Sequence, residues 1–226
     1  MYNLPIIIKE QQTDIVIVSL FDGLSGGRIA TDRVEQLNVL RYYSSEVELS
    51  AIKVADTNYP QDIPYRLGDI TQIDTVKLLA EIRADFGNVK ILLIGGSPCQ
   101  GFSLAGTMKG SSTKQGIDVT SLNQYLQLKE EEFEFNGQSY LFWEYIRIKE
   151  ALKPDFFLLE NVRVTGKWLP MFNKTLGLEP FIVNSNLVSF QNRLRFYWTN
   201  LQGLTQPIDT NTYLKDNYCQ VYDKSL

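Results

Sequence analysis

One stretch restricts this chain more than any other: Lys90-Ile91-Leu92-Leu93-Ile94-Gly95-Gly96-Ser97-Pro98-Cys99-Gln100-Gly101-Phe102-Ser103. Lys90 to Ile94 is a short apolar run closed by glycines, the pattern of a strand buried on both faces of a parallel sheet. Gly95 and Gly96 end the run and let backbone come close to a ligand. Pro98 fixes its own φ and holds Ser97 extended, which presents Cys99 at the carboxyl edge of the strand. Open α/β sheets bind and transform ligands along that edge. A free cysteine more often behaves as a small buried hydrophobe. Gly, Ser, Pro and Gln are poor core companions, however, and backbone amides beyond the turn would lower the thiol pKa. Cys99 is therefore a candidate nucleophile.

The 226 residues suit one main α/β domain, and 44% hydrophobic with 21% charged residues is the balance of an ordinary globule. No apolar run approaches the ~20 residues of a membrane helix. The opening Met1-Tyr2-Asn3-Leu4-Pro5 lacks a basic region and a cleavage site. A cytoplasmic location is expected, or a nuclear one in a eukaryote. Two cysteines, Cys99 and Cys219, make no disulfide framework and fit a reducing compartment. The absence of histidine excludes a Cys-His or Ser-His pair within the chain, and no metal site is expected. A nucleophilic Cys99 must then be activated by backbone dipoles, an arginine or the substrate itself. The net charge of -4 gives no overall attraction for nucleic acid, so DNA binding would need a local patch or a partner.

Asp14 to Leu20 reads as a buried first strand, followed by Phe21-Asp22-Gly23-Leu24-Ser25-Gly26-Gly27 and a helix from Arg28 to about Leu37. Strand, glycine turn and helix together make a nucleotide cradle. The G-x-x-G-G spacing is not that of dehydrogenases, and a tight strand-to-helix connection would explain the glycines equally. A second strand, Val39 to Ser45, ends at Glu46, roughly 20 residues past the turn, where a carboxylate commonly accepts from ribose hydroxyls. Starting the helix from Val47 to Asn58 is the plainer role for Glu46. A third short strand at Tyr65 to Leu67 leads to Asp69, a helix cap or a ligand acceptor. A helix over Gln72 to Phe86 precedes the Cys99 strand.

Leu104 to Ser139 is a long polar connection, the length of a functional lid; Glu130-Glu131-Glu132 inside it reads as a solvated charge run. An amphipathic helix, Tyr140 to Leu152, leads to a strand at Pro154 to Leu159 that ends in Glu160-Asn161-Val162. A helix over Lys167 to Leu176 and strands at Phe181 to Val188 and Arg193 to Thr199 follow. The last strand carries Gln191-Asn192-Arg193-Leu194-Arg195, with both arginines on one face. An exposed strand face or a base and phosphate clamp would each account for them.

Taken in order, these motifs resemble the cytosine carbon-5 DNA methyltransferases from about Ile15 to Asn200. The resemblance rests on the turn from Phe21 to Gly27, on Pro98-Cys99-Gln100, on Glu160-Asn161-Val162, and on Gln191, Arg193 and Arg195. It implies a Rossmann-like α/β fold, a mostly parallel seven-stranded sheet with helices on both faces. It also implies S-adenosylmethionine as methyl donor, S-adenosylhomocysteine as product and DNA as partner. Phe21 would lie against the adenine, Glu46 on the ribose, and Asp69 with Ile70 around the adenine. Asp22, Gly23, Leu24, Ser25, Gly26, Val47, Pro98 and Leu141 would complete the cofactor contacts. Cys99 would add to carbon 6 of a flipped cytosine, with Glu160 on the ring nitrogen and amino group and Asn161 holding the Glu160 carboxyl. Arg193 and Arg195 would meet the ring carbonyl or a phosphate, and Gln100 and Gln191 would contact substrate.

Family members carry a target-recognition region and a final segment that closes the cofactor pocket. Neither is visible after Asn200, where residues 201–226 read as a polar tail. The expectation is a catalytic half that needs a second polypeptide. Two other readings remain at this point: a regulatory relative without catalysis, and a tRNA cytosine-5 methyltransferase.

Overall fold

A computed structural model describes residues 12–98, 102, 111–164, 166–187 and 191–202. Within them lie six strands of one mixed sheet, in the order β2-β1-β3-β4-β6-β5, together with six α-helices. The α/β class is the expected one, with six strands among the described residues in place of seven. The chain separates into two compact units, Met1–Ile94 and Gly95–Leu226.

The first unit contains β1 (Thr13–Leu20), α1 (Gly26–Asp32), β2 (Leu37–Ser45), α2 (Leu49–Asn58), α3 (Thr75–Phe86) and most of β3 (Lys90–Gly96). β1 is buried without alternation from Ile15 onward, as its continuous apolar run requires, and pairs parallel to β2 from Thr13↔Leu37 to Leu20↔Ser45. The helices start where acidic side chains supply the missing acceptors: Glu48 takes Ser50 N, and Asp74 takes Val76 N and Lys77 N. α1 stops at Asp32, short of the expected Leu37, because Leu37 is already in the ladder with Thr13.

The strand expected at Tyr65 to Leu67 is reduced to one isolated bridge, Ser44↔Arg66. Pro60 and Pro64 place a 3-10 turn at Pro60–Tyr65, and a ladder cannot be built through residues that lack the N–H donor.

The second unit contains α4 (Leu122–Glu130), α5 (Leu141–Leu152), β4 (Phe156–Val162), α6 (Trp168–Leu176), β5 (Phe181–Asn184) and β6 (Leu194–Thr199). β6 runs antiparallel to both β4 and β5, which therefore share one direction, so the reversal in this part is that of β6. β5 ends at Asn184 because that side chain turns the strand: its Oδ1 accepts from Asn186 N and Arg193 N. The core is aromatic. Phe142 stacks on Phe172 at 4.0 Å between centroids, Phe172 meets Trp198 at 5.1 Å, and Phe102 meets Phe172 edge-on at 5.0 Å.

α5 is buried on most of its circumference, not amphipathic as expected, and includes the fully buried Glu144. That carboxylate accepts from Tyr125 OH at 2.5 Å and pairs with Lys129 Nζ and Arg147 Nε, each at 2.6 Å. A buried charge persists only with such donors. Tyr125 and Lys129 belong to α4, so Glu144 fastens the connection preceding α5 onto α5 itself. Over 111–139 the expected long loop is thus packed structure, with Ser111, Thr113, Val119 and Tyr125 buried; Glu130-Glu131-Glu132 is exposed.

No helix among the described residues is long and apolar enough to cross a membrane. A Cβ built on Gly27 would stand 2.2 Å from Ile94 Cδ1 and 2.8 Å from the Tyr42 hydroxyl, which Asp22 holds at 2.6 Å. Gly27→Ala should therefore destabilise the fold by roughly 1–3 kcal/mol in chemical denaturation, and Ile94→Val should return part of that loss in the double variant.

Candidate active site

In the first unit, the turn after β1 is built from residues in the left-handed region: Phe21 at φ 56°, Gly23 at 56° and Ser25 at 61°. For the two side-chain-bearing residues this costs on the order of 1–2 kcal/mol each. The compensation comes from Asp22. Its carboxylate, with no exposed surface, accepts from Ser19 Oγ at 2.6 Å, Tyr42 OH at 2.6 Å and Ser25 Oγ at 2.7 Å, with Arg66 Nη1 at 3.7 Å. Burial, and then the Asp22 charge, push the Tyr42 phenol well above its ordinary pKa, which keeps it a donor. Asp22, expected among the cofactor contacts, is occupied on both oxygens by the protein and shapes the turn. Tyr42 is the residue that sequence reasoning missed, since an apolar-looking strand gives no sign that its hydroxyl reaches Asp22.

Glu46 is fixed by backbone. Its Oε2 accepts from Gly23 N at 2.8 Å, and its Oε1 from Val47 N at 2.8 Å and Glu48 N at 2.9 Å. It thus serves the helix start and the glycine turn at once. A carboxylate offers about four acceptor sites, so one remains. Leu24 and Val47 beside it are 58% and 64% exposed, and Gly23 and Gly26 have open space where a Cβ would be. Asp69 caps the 3-10 turn at Ile70–Gln72 by accepting from Thr71 N at 2.8 Å, the plainer of its two expected roles; Ile70 is buried. These residues fit S-adenosylmethionine: a partly exposed carboxylate with acceptor capacity suits a ribose diol, and bare glycine backbone suits close approach.

In the second unit, Glu160 lies within β4 and not past its end. Arg195 Nε pairs with its Oε1 at 2.8 Å, and Arg193 Nη2 stands at 3.5 Å from the same oxygen. A Cβ on Gly96 would be 3.1 Å from Glu160 Oε2, so a bare backbone gives this carboxylate its room. The resemblance implies that Asn161 holds the Glu160 carboxyl, whereas in the structure its side chain has other partners. Its Nδ2 donates to Ser97 Oγ at 2.9 Å and Ser97 O at 3.2 Å, while its Oδ1 accepts from Val162 N. Neighbouring strand residues point to opposite faces, so Asn161 cannot reach the Glu160 side chain, and Arg195 takes that role.

Cys99 and Gln100 lie outside the described residues. Flanking them in sequence, Ser97 is buried against Asn161, and Phe102 is buried between Trp168 and Phe172. Pro98 is half-buried, and Leu141 opens α5. Gln191, Arg193 and Arg195 line a cavity of about 430 Å³ with Val162, Arg163, Asn192 and Leu194. Among the described residues no group of three or more His, Cys, Asp or Glu is placed to hold a metal ion.

The glycine turn after the first strand, together with the mixed sheet and its helices, defines an α/β methyltransferase fold. The Entamoeba histolytica methyltransferase EhMeth shares that fold, with a TM-score of 0.55, 15% identity, and coverage of 83% of this chain and 53% of that one. The family model for C-5 cytosine-specific DNA methylase matches residues 15–167, and the chain belongs to that family. It is 30% identical over 206 residues to the Type II methyltransferase M.NlaIV of Neisseria lactamica, covering 82% of this chain and 41% of the relative. It is likewise 30% identical over 192 residues to the Type II methyltransferase M.SsoII of Shigella sonnei, covering 80% and 41%. The chain spans about two fifths of the length of these curated relatives.

If Asp22 carries the turn, Asp22→Asn should cost about 2–4 kcal/mol in urea unfolding, because an amide presents a donor where hydroxyls and Arg66 already donate. A loss within about 0.5 kcal/mol would mean that the turn holds its left-handed residues without the carboxylate.

Proposed function

We propose that the protein is a DNA (cytosine-5-)-methyltransferase acting on a cytosine flipped from the duplex, with a covalent adduct at Cys99. The observation that carries this reading is the Glu160 carboxylate. It is held by Arg195 at 2.8 Å against the bare backbone of Gly96, on the same strand whose Asn161 secures Ser97, two residues before Cys99 in sequence. Membership of the C-5 cytosine-specific DNA methylase family supports the same chemistry.

Carbon 5 of cytosine is too weak a nucleophile to take a methyl group unaided. The Cys99 thiolate adds to carbon 6, a carbon–sulfur bond forms, and the ring electrons move to carbon 5. S-adenosylmethionine, held by the Phe21 to Gly26 turn, Glu46 and Asp69, supplies the electrophilic methyl group when bound. A proton shared between the Glu160 carboxyl and the ring nitrogen, with the exocyclic amine donating to the same carboxyl, stabilises the negative charge that the addition places on the ring. Loss of the carbon-5 proton to water then expels the thiolate and restores the aromatic ring. Extruding the base costs a few kcal/mol, which contacts to the flipped nucleotide must offset.

Release of tritium from carbon-5-labelled cytosine tests the reaction. Wild-type protein with methyl donor should release label from duplex DNA and not from tRNA. Cys99→Ser should abolish release, and Glu160→Gln should lower it by about 10²-fold or more. Release from tRNA alone would reassign the substrate, and release undiminished by Cys99→Ser would end the covalent mechanism.

A further inference from the structure

Two described residues bracket Cys99 in sequence, and the fold holds both. Ser97, two positions before it, is buried, and its hydroxyl and carbonyl both accept from Asn161 Nδ2, at 2.9 Å and 3.2 Å. Phe102, three positions after it, is 1% exposed, with its ring edge-on to Trp168 at 5.6 Å and to Phe172 at 5.0 Å. A chain gains at most about 3.6 Å per residue, so the Cys99 Cα lies within ~7 Å of that of Ser97 and ~11 Å of that of Phe102. Two fixed points confine the thiol far more than either would alone.

The two sides of Cys99 are not alike. Upstream, Pro98 has a fixed φ and stiffens the step from Ser97. Downstream the chain passes Gly101, the residue with the widest backbone freedom, so only an anchor beyond it can limit where the thiol goes. Phe102 is that anchor. Trp168 and Phe172, four residues apart, share one face of α6 and form the shelf on which it docks. Phe142 of α5 at 4.0 Å and Trp198 of β6 at 5.1 Å back the Phe172 ring, so the shelf is braced by two further elements. β4 and α6 are also successive elements, and Glu160 stands next to Asn161. Acid and nucleophile thus take their places from one passage of backbone. We propose that Phe102, docked on α6, is a positioning residue for Cys99, fixing the thiol from downstream as Asn161 fixes it from upstream through Ser97. The part this plays in catalysis rests on the methyltransferase reading; the docking of Phe102 does not.

The test uses the full chain carrying Cys219→Ser, which leaves Cys99 as its single thiol. Two rates are compared among this parent, Phe102→Leu and Phe102→Ala: covalent capture of a duplex containing 5-fluorocytosine, at saturating duplex and S-adenosylmethionine, and alkylation of the thiol by iodoacetamide without DNA. Phe102→Ala should slow capture by about 10- to 100-fold, the cost of a misplaced reacting group, while duplex affinity measured by anisotropy stays that of the parent. Phe102→Leu keeps apolar bulk on the shelf and should recover most of that loss, remaining slower than the parent. It also carries the test if Phe102→Ala fails to fold. Ile82→Val, a core cut at a fully buried position of α3, should leave capture at the parent rate. Capture at the parent rate in both Phe102 variants, or slowed as much by Ile82→Val as by Phe102→Leu, overturns the positioning role. Alkylation separates this role from the catalytic reading, because the reactivity of a thiol follows its surroundings. If the parent captures no DNA, methyl transfer at Cys99 falls; an alkylation rate altered severalfold by Phe102→Ala then still upholds the anchor, and an unaltered one removes it. Capture by the parent with both rates unaltered in the variants removes the anchor and leaves methyl transfer standing.

Discussion

Taking a carboxylate out of water demands donors around it, and three acidic side chains of this chain meet that demand. Asp22 gathers the hydroxyls of Ser19, Ser25 and Tyr42, and with them a turn holding Phe21 and Ser25 in the left-handed region. Glu144 gathers Tyr125, Lys129 and Arg147 and so fastens α4 to α5. Glu160 gathers Arg195 and, more loosely, Arg193. The first two are enclosed and serve the fold. Glu160 is a quarter exposed and able to meet a substrate.

Adjacent positions on β4 divide the work because a strand sends them to opposite faces. Glu160 faces the arginines, while Asn161 is buried and ties down Ser97. One short segment thus carries an acid and steadies the backbone leading to Cys99. The antiparallel register of β4 and β6 is what makes this possible: Val162 is opposite Arg195, so Arg195 reaches diagonally to Glu160.

Much of the fold was legible from local signals. Ile15 to Val18 of β1, Ile91 to Ile94 of β3 and Phe156 to Leu159 of β4 are unbroken apolar runs, and Glu46, Asp69 and Asp74 stand where helical turns begin. What was not legible depends on distant partners. Nothing near Asp22 announces that Tyr42 will meet it, and the helix inside 111–139 is hidden because its anchor, Glu144, lies well beyond it in sequence. The order of motifs singled out Glu160, Asn161, Arg193 and Arg195, but their pairing followed from strand faces and register, which reversed the role expected of Asn161.

The central claim is that Cys99 forms a bond to carbon 6 of a cytosine. The most direct measurement is incubation of the protein with S-adenosylmethionine and a duplex containing 5-fluorocytosine, where the fluorine blocks the final loss of the carbon-5 substituent. The account predicts a protein–DNA species that survives denaturing electrophoresis and is absent for Cys99→Ser. No such species with wild type, or one that persists in Cys99→Ser, would contradict it.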